Sequence, residues 1–140
     1  MSSQLITVTS TITVGEIVCP GEEVIFTCET RGSLTIAWTS DEYINDRLEF
    51  NTGDDLDGVL PGFIDRNTMA TFVNDTVEGT TRVLVSQLRI IVSSISLTPS
   101  VTCIHVRDAI PDTFTFQVLG MSLVIFKLSC IIVYYRHYRS

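Results

Sequence analysis

Few side chains in this sequence have chemistry to offer: His105 and His137, the cysteines Cys19, Cys28, Cys103 and Cys130, the acidic run GDDLDG at 53–58, and one N-x-S/T sequon at Asn74. A histidine working as a general base needs a nucleophile and an orienting group within reach. His105 follows Cys103 by two positions on an alternating stretch, and His137 lies in a basic tail. No Ser, His and Asp grouping, phosphate-cradling glycine loop or metal-ligand spacing is present. The expectation is a non-enzymatic protein without cofactor or metal.

Closely spaced carboxylates suit a hard cation, and GDDLDG invites comparison with the calcium loop. With Asp55 and Asp57 at the third and fifth loop positions, Gly53 falls at the first and Ile64 at the twelfth, where two carboxylate oxygens are required. The run therefore reads as a solvated acidic loop. Asn74, Asp75 and Thr76 stand at the start of a predicted turn, which marks Asn74 for glycosylation if the chain is secreted.

The elements that would position these residues are strands. In EVIFTCE (23–29) the residues Val24, Phe26 and Cys28 alternate, and in LTIAWTS (34–40) so do Leu34, Ile36 and Trp38. SVTCIHV (100–106) places Val101 and Cys103 on one face, and TRVLVSQLRIIV (81–92) places Leu84, Leu88 and Ile90 together with Ser86 between them. Period-two alternation is the mark of a half-buried strand. QLITVTSTITV (4–14) reads as a β-branched edge strand, VCPGEE as a turn, RLEFN and TMATFVN as short strands, and DTFTFQV (112–118) as a closing strand with Phe114, Phe116 and Val118 inward. The stretch 52–67 holds three glycines and a proline and reads as a loop with a brief strand. Four cysteines allow three pairings.

These residues resemble the immunoglobulin variable-type domain over 15–118. Cys28, Trp38, Leu88, Ile90 and Cys103 fall at that family's spacing, and the length between Trp38 and Cys103 leaves room for the strands a variable-type sandwich adds. The resemblance implies an all-β sandwich of two antiparallel sheets, a Cys28–Cys103 disulfide covered by Trp38, and Leu88 and Ile90 in the core. Closing a loop of that length stabilises by roughly 4–5 kcal/mol in the chain-entropy account. Leu97 and Val101 stand where the family usually carries an aspartate and a tyrosine, which separates the chain from antibody and T-cell receptor domains. The segment from Cys19 to Ile44 is closer to divergent Ig-like surface proteins of early-branching animals. Cys19, ahead of Pro20 in an expected exposed turn, is left as a candidate free or intermolecular thiol, unless the tail folds back and brings Cys130 to it.

Charge divides the chain. Sixteen acidic residues face six arginines through residue 118, a net of −10, and the last 22 residues carry Lys127, Arg136 and Arg139 within an overall −7. An acidic body argues against a nucleic-acid partner. Residues 119–135 are largely apolar, followed by a short basic tail at 136–140, and they read as a candidate transmembrane helix with the domain, 1–118, outside. The fit is tight: 120–135 rises about 24 Å against a hydrocarbon core of about 30 Å, and Lys127 near its centre costs about 2.5–3.5 kcal/mol on the insertion scale. If the span forms, Lys127 is a candidate for pairing with a membrane-embedded acidic adaptor, as in activating receptors of this fold. The first residues, MSSQLITVTS, lack the pattern of a secretory signal. The expected function is recognition or adhesion at the cell membrane, through a protein ligand or another Ig-like domain. The alternatives are a structural module of a longer secreted or adhesive protein, and a cytosolic protein with every cysteine reduced.

Overall fold

The computed structural model describes residues 5–13, 15–62, 67–93, 97–105 and 110–119. Among these described residues eleven strands form: β1 Leu5–Ser10, β2 Ile17–Val18, β3 Glu23–Arg31, β4 Thr35–Thr39, β5 Leu48–Asn51, β6 Val59–Pro61, β7 Thr68–Glu78, β8 Thr81–Ile91, β9 Ser100–Ile104, β10 Asp112–Thr115 and β11 Gln117–Val118. They build a five-stranded antiparallel sheet, β1-β3-β8-β7-β6, and a four-stranded antiparallel sheet, β10-β9-β4-β5, with β2 and β11 paired in parallel beside them. A disulfide joins the two sheets, and the architecture is that of a β-sandwich.

Alternation decides what lies between the sheets. Val24, Phe26 and Cys28 of β3, Leu84, Leu88 and Ile90 of β8, Ile36 and Trp38 of β4, and Val101 and Cys103 of β9 are all fully buried. Cys28 lies opposite Ser86 in one sheet and Cys103 opposite Trp38 in the other. Two links therefore cross the middle of the sandwich side by side. One is the Cys28–Cys103 disulfide, with Cα atoms 6.4 Å apart. The other is a hydrogen bond from Trp38 Nε1 to Ser86 Oγ at 2.9 Å, and that hydroxyl donates in turn to the carbonyl of Thr71 at 2.9 Å. A small residue at 86 leaves room for the indole, and its hydroxyl satisfies the buried N–H.

The structure corrects four local expectations. The N-terminal strand is not continuous from 4 to 14. Ser10 Oγ accepts from the Ile12 amide and Thr11 Oγ1 from the Ile25 amide, and Gly15 takes a φ of 87°, so the chain leaves the five-stranded sheet and reappears as β2 beside β11. Such short hydroxyl side chains compete with the ladder for backbone groups. Leu34 does not share the face of Trp38; it is 62% exposed, because a turn at Gly32 and Ser33 delays β4 until Thr35. The closing strand breaks at Phe116, whose amide donates to the Pro99 carbonyl. Cys19 is not an exposed free thiol: it is buried and disulfide-bonded.

Candidate recognition end of the sandwich

β4 runs from the 31–34 turn to the 40–47 loop, and β5 runs back antiparallel, so the two acidic stretches flanking β5 lie at opposite ends of the sheet. A binding surface at one end of the sandwich can therefore draw on only one of them. The 40–47 loop closes its end of the core. Ser40 Oγ donates to the Ser100 carbonyl at 2.7 Å, and the Ile44 amide returns to the Ser40 carbonyl, a tight turn that drives Tyr43 and Ile44 inward. Tyr43 is 1% exposed and its ring stacks on Phe116 with centroids 6.5 Å apart.

At the other end, where the register of β9 with β4 and β10 also puts Ile110, the 31–34 turn, the 52–58 loop and the tip of the β7–β8 hairpin come together. Their backbones are tied directly: the Thr52 amide donates to the Leu34 carbonyl at 2.9 Å and the Gly32 amide to the Arg82 carbonyl at 2.9 Å. Asp75 is the fastener. Its carboxylate accepts from Thr52 Oγ1 at 2.9 Å, from the Gly53 amide at 2.9 Å, and from Arg82 Nη1. Burial pushes the Asp75 pKa up, but the Gly53 N–H, Arg82 and Thr52 outweigh it and hold the group below its ordinary carboxylate value. Arg31 is gripped by Glu78 at 2.8 Å and Glu29 at 3.3 Å, which raises the pKa of a guanidinium that is charged in any case.

The 52–58 loop is stitched to β7 through Asp57 N to Phe72 O and Phe72 N to Gly58 O, with Asp57 at a φ of 64°, a conformation aspartate tolerates better than most residues. This framework leaves Leu34, Leu56, Val77 and Ile110 exposed on a rim that also carries Asp54, Asp55 and Asp57. Aliphatic side chains held outward on an anchored loop end can contact a partner without a large ordering cost. Among the described residues no group of three His, Cys, Asp or Glu side chains is placed to hold a metal ion.

The disulfide cysteines, Trp38, Leu88 and Ile90 come together at the centre of the sandwich, away from this end. Asn74 is within β7 and not at a turn: an irregularity between Phe72 and Asn74 shifts the register, and Asn74 Nδ2 donates to Thr76 Oγ1 at 3.2 Å. Lys127, Cys130 and His137 lie outside the described residues, as does the candidate span beyond Leu119. The Leu119 amide donates to the Val18 carbonyl at 2.9 Å, so sheet bonding continues past residue 118. Among the described residues no helix is long and apolar enough to cross a membrane. Asp75, Arg82 and Thr52 were missed by sequence reasoning, since nothing in their spacing marks a contact between a loop and a distant hairpin. Against family models, curated proteins and solved structures, the chain matches none.

Proposed function

We propose that the chain is a variable-type immunoglobulin-like domain serving as a non-enzymatic recognition or adhesion module at the cell surface. The observation that carries this reading is the strand order. β1-β3-β8-β7 facing β10-β9-β4, pinned by Cys28, Cys103 and Trp38, follows the seven-strand scheme, and β5 and β6 are the additions of the variable type. β6 departs from that scheme by bonding to β7 and not to β5. Recognition of a protein ligand or another Ig-like domain is assigned to the end bearing Leu34, Leu56 and Ile110.

Residues beyond Leu119 tether the domain in this proposal, with Lys127 meeting an acidic residue of a membrane partner. A second reading, a structural module of a secreted or adhesive protein, draws support from two observations. Sheet bonding through Leu119 leaves only 120–135 for a span, about 24 Å of helix, and Cys19 is committed to a disulfide. Expression of the full chain in animal cells separates them. The surface reading expects carbonate-resistant membrane association, a protease-accessible domain on intact cells, and cell binding lost on Leu56→Asp with Ile110→Asp. Soluble protein in the medium with a mapped Cys19–Cys130 linkage would overturn the membrane span, because that bond holds Cys130 at the sandwich. Free Cys28 and Cys103 in secreted material would overturn the immunoglobulin-like assignment itself.

A further inference from the structure

The outer face of the five-stranded sheet carries a shallow groove of about 270 Å³ lined by Ile25, Val59, Met69, Thr71, Gln87 and Arg89. Register explains its shape. Ile25, Arg89, Met69 and Pro61 form one row across four strands, and Gln87, Thr71 and Val59 form the next. Val59 is half exposed although apolar, and the single charge, Arg89, already pairs with Glu23 at 3.4 Å. An apolar floor edged by a hydroxyl, an amide and a guanidinium suits a neutral ligand with apolar C–H faces and hydroxyl edges, the chemistry of a sugar.

Asn74 sits beside this groove on the same face. It pairs with Val85, whereas the next residue, Asp75, pairs with the core residue Leu84 and reaches inward to Thr52, so successive side chains take opposite sides. From Asn74 to Thr71 is three residues along β7, about 10 Å at a strand rise of about 3.3 Å. That distance is within reach of the first sugars of an N-linked glycan. We propose that Asn74 is N-glycosylated and that the core of its glycan lies along the groove over Val59, Met69 and Gln87. The covalent tether supplies the occupant, and its cover hides exposed Val59 and Val73 from solvent. Since Asp75 is clamped in the folded chain, transfer to Asn74 precedes docking of the 52–58 loop.

The inference rests on the extracellular reading, so the test forces entry to the secretory route with an added leader on the full chain and analyses both microsomal and medium fractions. Amidase release in labelled water followed by peptide mapping should convert Asn74 to labelled aspartate; Thr76→Ala should abolish the modification and Thr76→Ser restore it. Enzymatic removal of the glycan should lower Tm by roughly 2–4 °C, and Gln87→Ala, an exposed position, should erase that difference. Unmodified Asn74 in chains whose Cys28–Cys103 bond has formed would overturn the modification. A modified Asn74 with a Tm indifferent to deglycosylation, or a difference that survives Gln87→Ala, would overturn the groove. Neither outcome bears on where the chain without the added leader resides, which the fractionation above decides.

Discussion

The loops on either side of β5 are alike in composition and opposite in use. SDEYIND carries three acidic residues around Tyr43 and Ile44, and GDDLDG carries three around Leu56. In the first, both apolar residues are buried and the tyrosine stacks on Phe116. In the second, Leu56 is 49% exposed, and the loop is secured from outside itself by Asp75. The difference teaches that an apolar residue in an acidic loop is a core plug where its end of the sandwich is otherwise open, and a surface feature where neighbouring strands already fill the core.

Substitutions should expose that asymmetry, most strongly at the plug. Tyr43→Ala is expected to lower stability by about 3–5 kcal/mol in denaturant unfolding, and a loss below about 1 kcal/mol would place Tyr43 outside the core. Next comes the fastener. Asp75→Asn keeps the shape but loses the charge, and should cost about 1–3 kcal/mol at neutral pH. The pKa of Asp75 is lowered on folding, so its contribution is complete above the ordinary carboxylate value of 3.8 and is lost as pH falls through the lower folded value. The gap between wild-type and Asp75→Asn melting temperatures should therefore close below about pH 4; a gap that widens in acid contradicts the fastening. Smallest is the open loop itself. Leu56→Ser should change stability by no more than about 0.5 kcal/mol while reducing partner binding, and the reverse pattern would make 52–58 a structural loop like 40–47.

Ser86→Ala tests the centre against both ends. It leaves the buried Trp38 N–H without its acceptor and should cost about 1–3 kcal/mol, whereas Ser86→Thr, which keeps a hydroxyl, should recover part of the loss if the added methyl is accommodated. Equal stability of Ser86→Ala and wild type would show that the centre of the sandwich is held by the disulfide and packing without help from this hydrogen bond.

Much of the core was legible because it follows from period two alone. Val24, Phe26 and Cys28, or Leu84, Leu88 and Ile90, alternate over enough residues that only one face can be inward. Leu34 failed the same rule, since one hydroxyl turn at Ser33 makes the alternation begin a step late. The site was legible only in part. The acidic 52–58 loop stood out by composition, but its fastening runs through Asp75, a residue whose neighbours in sequence point to a glycosylation signal and not to a contact with Thr52, 23 positions earlier.

What the sequence by itself determined is most of the half-buried strands, most of the residues facing the core and the sign of the surface charge, because these depend on local alternation and on ionisation. Which ends the loops occupy, that Ser86 answers Trp38, that Cys19 is not free, and that Asp75 binds a loop to a hairpin were decided only by tertiary structure. Each depends on strand order and register, and those are set by many weak contacts between residues far apart in the chain, none of which carries a local signal.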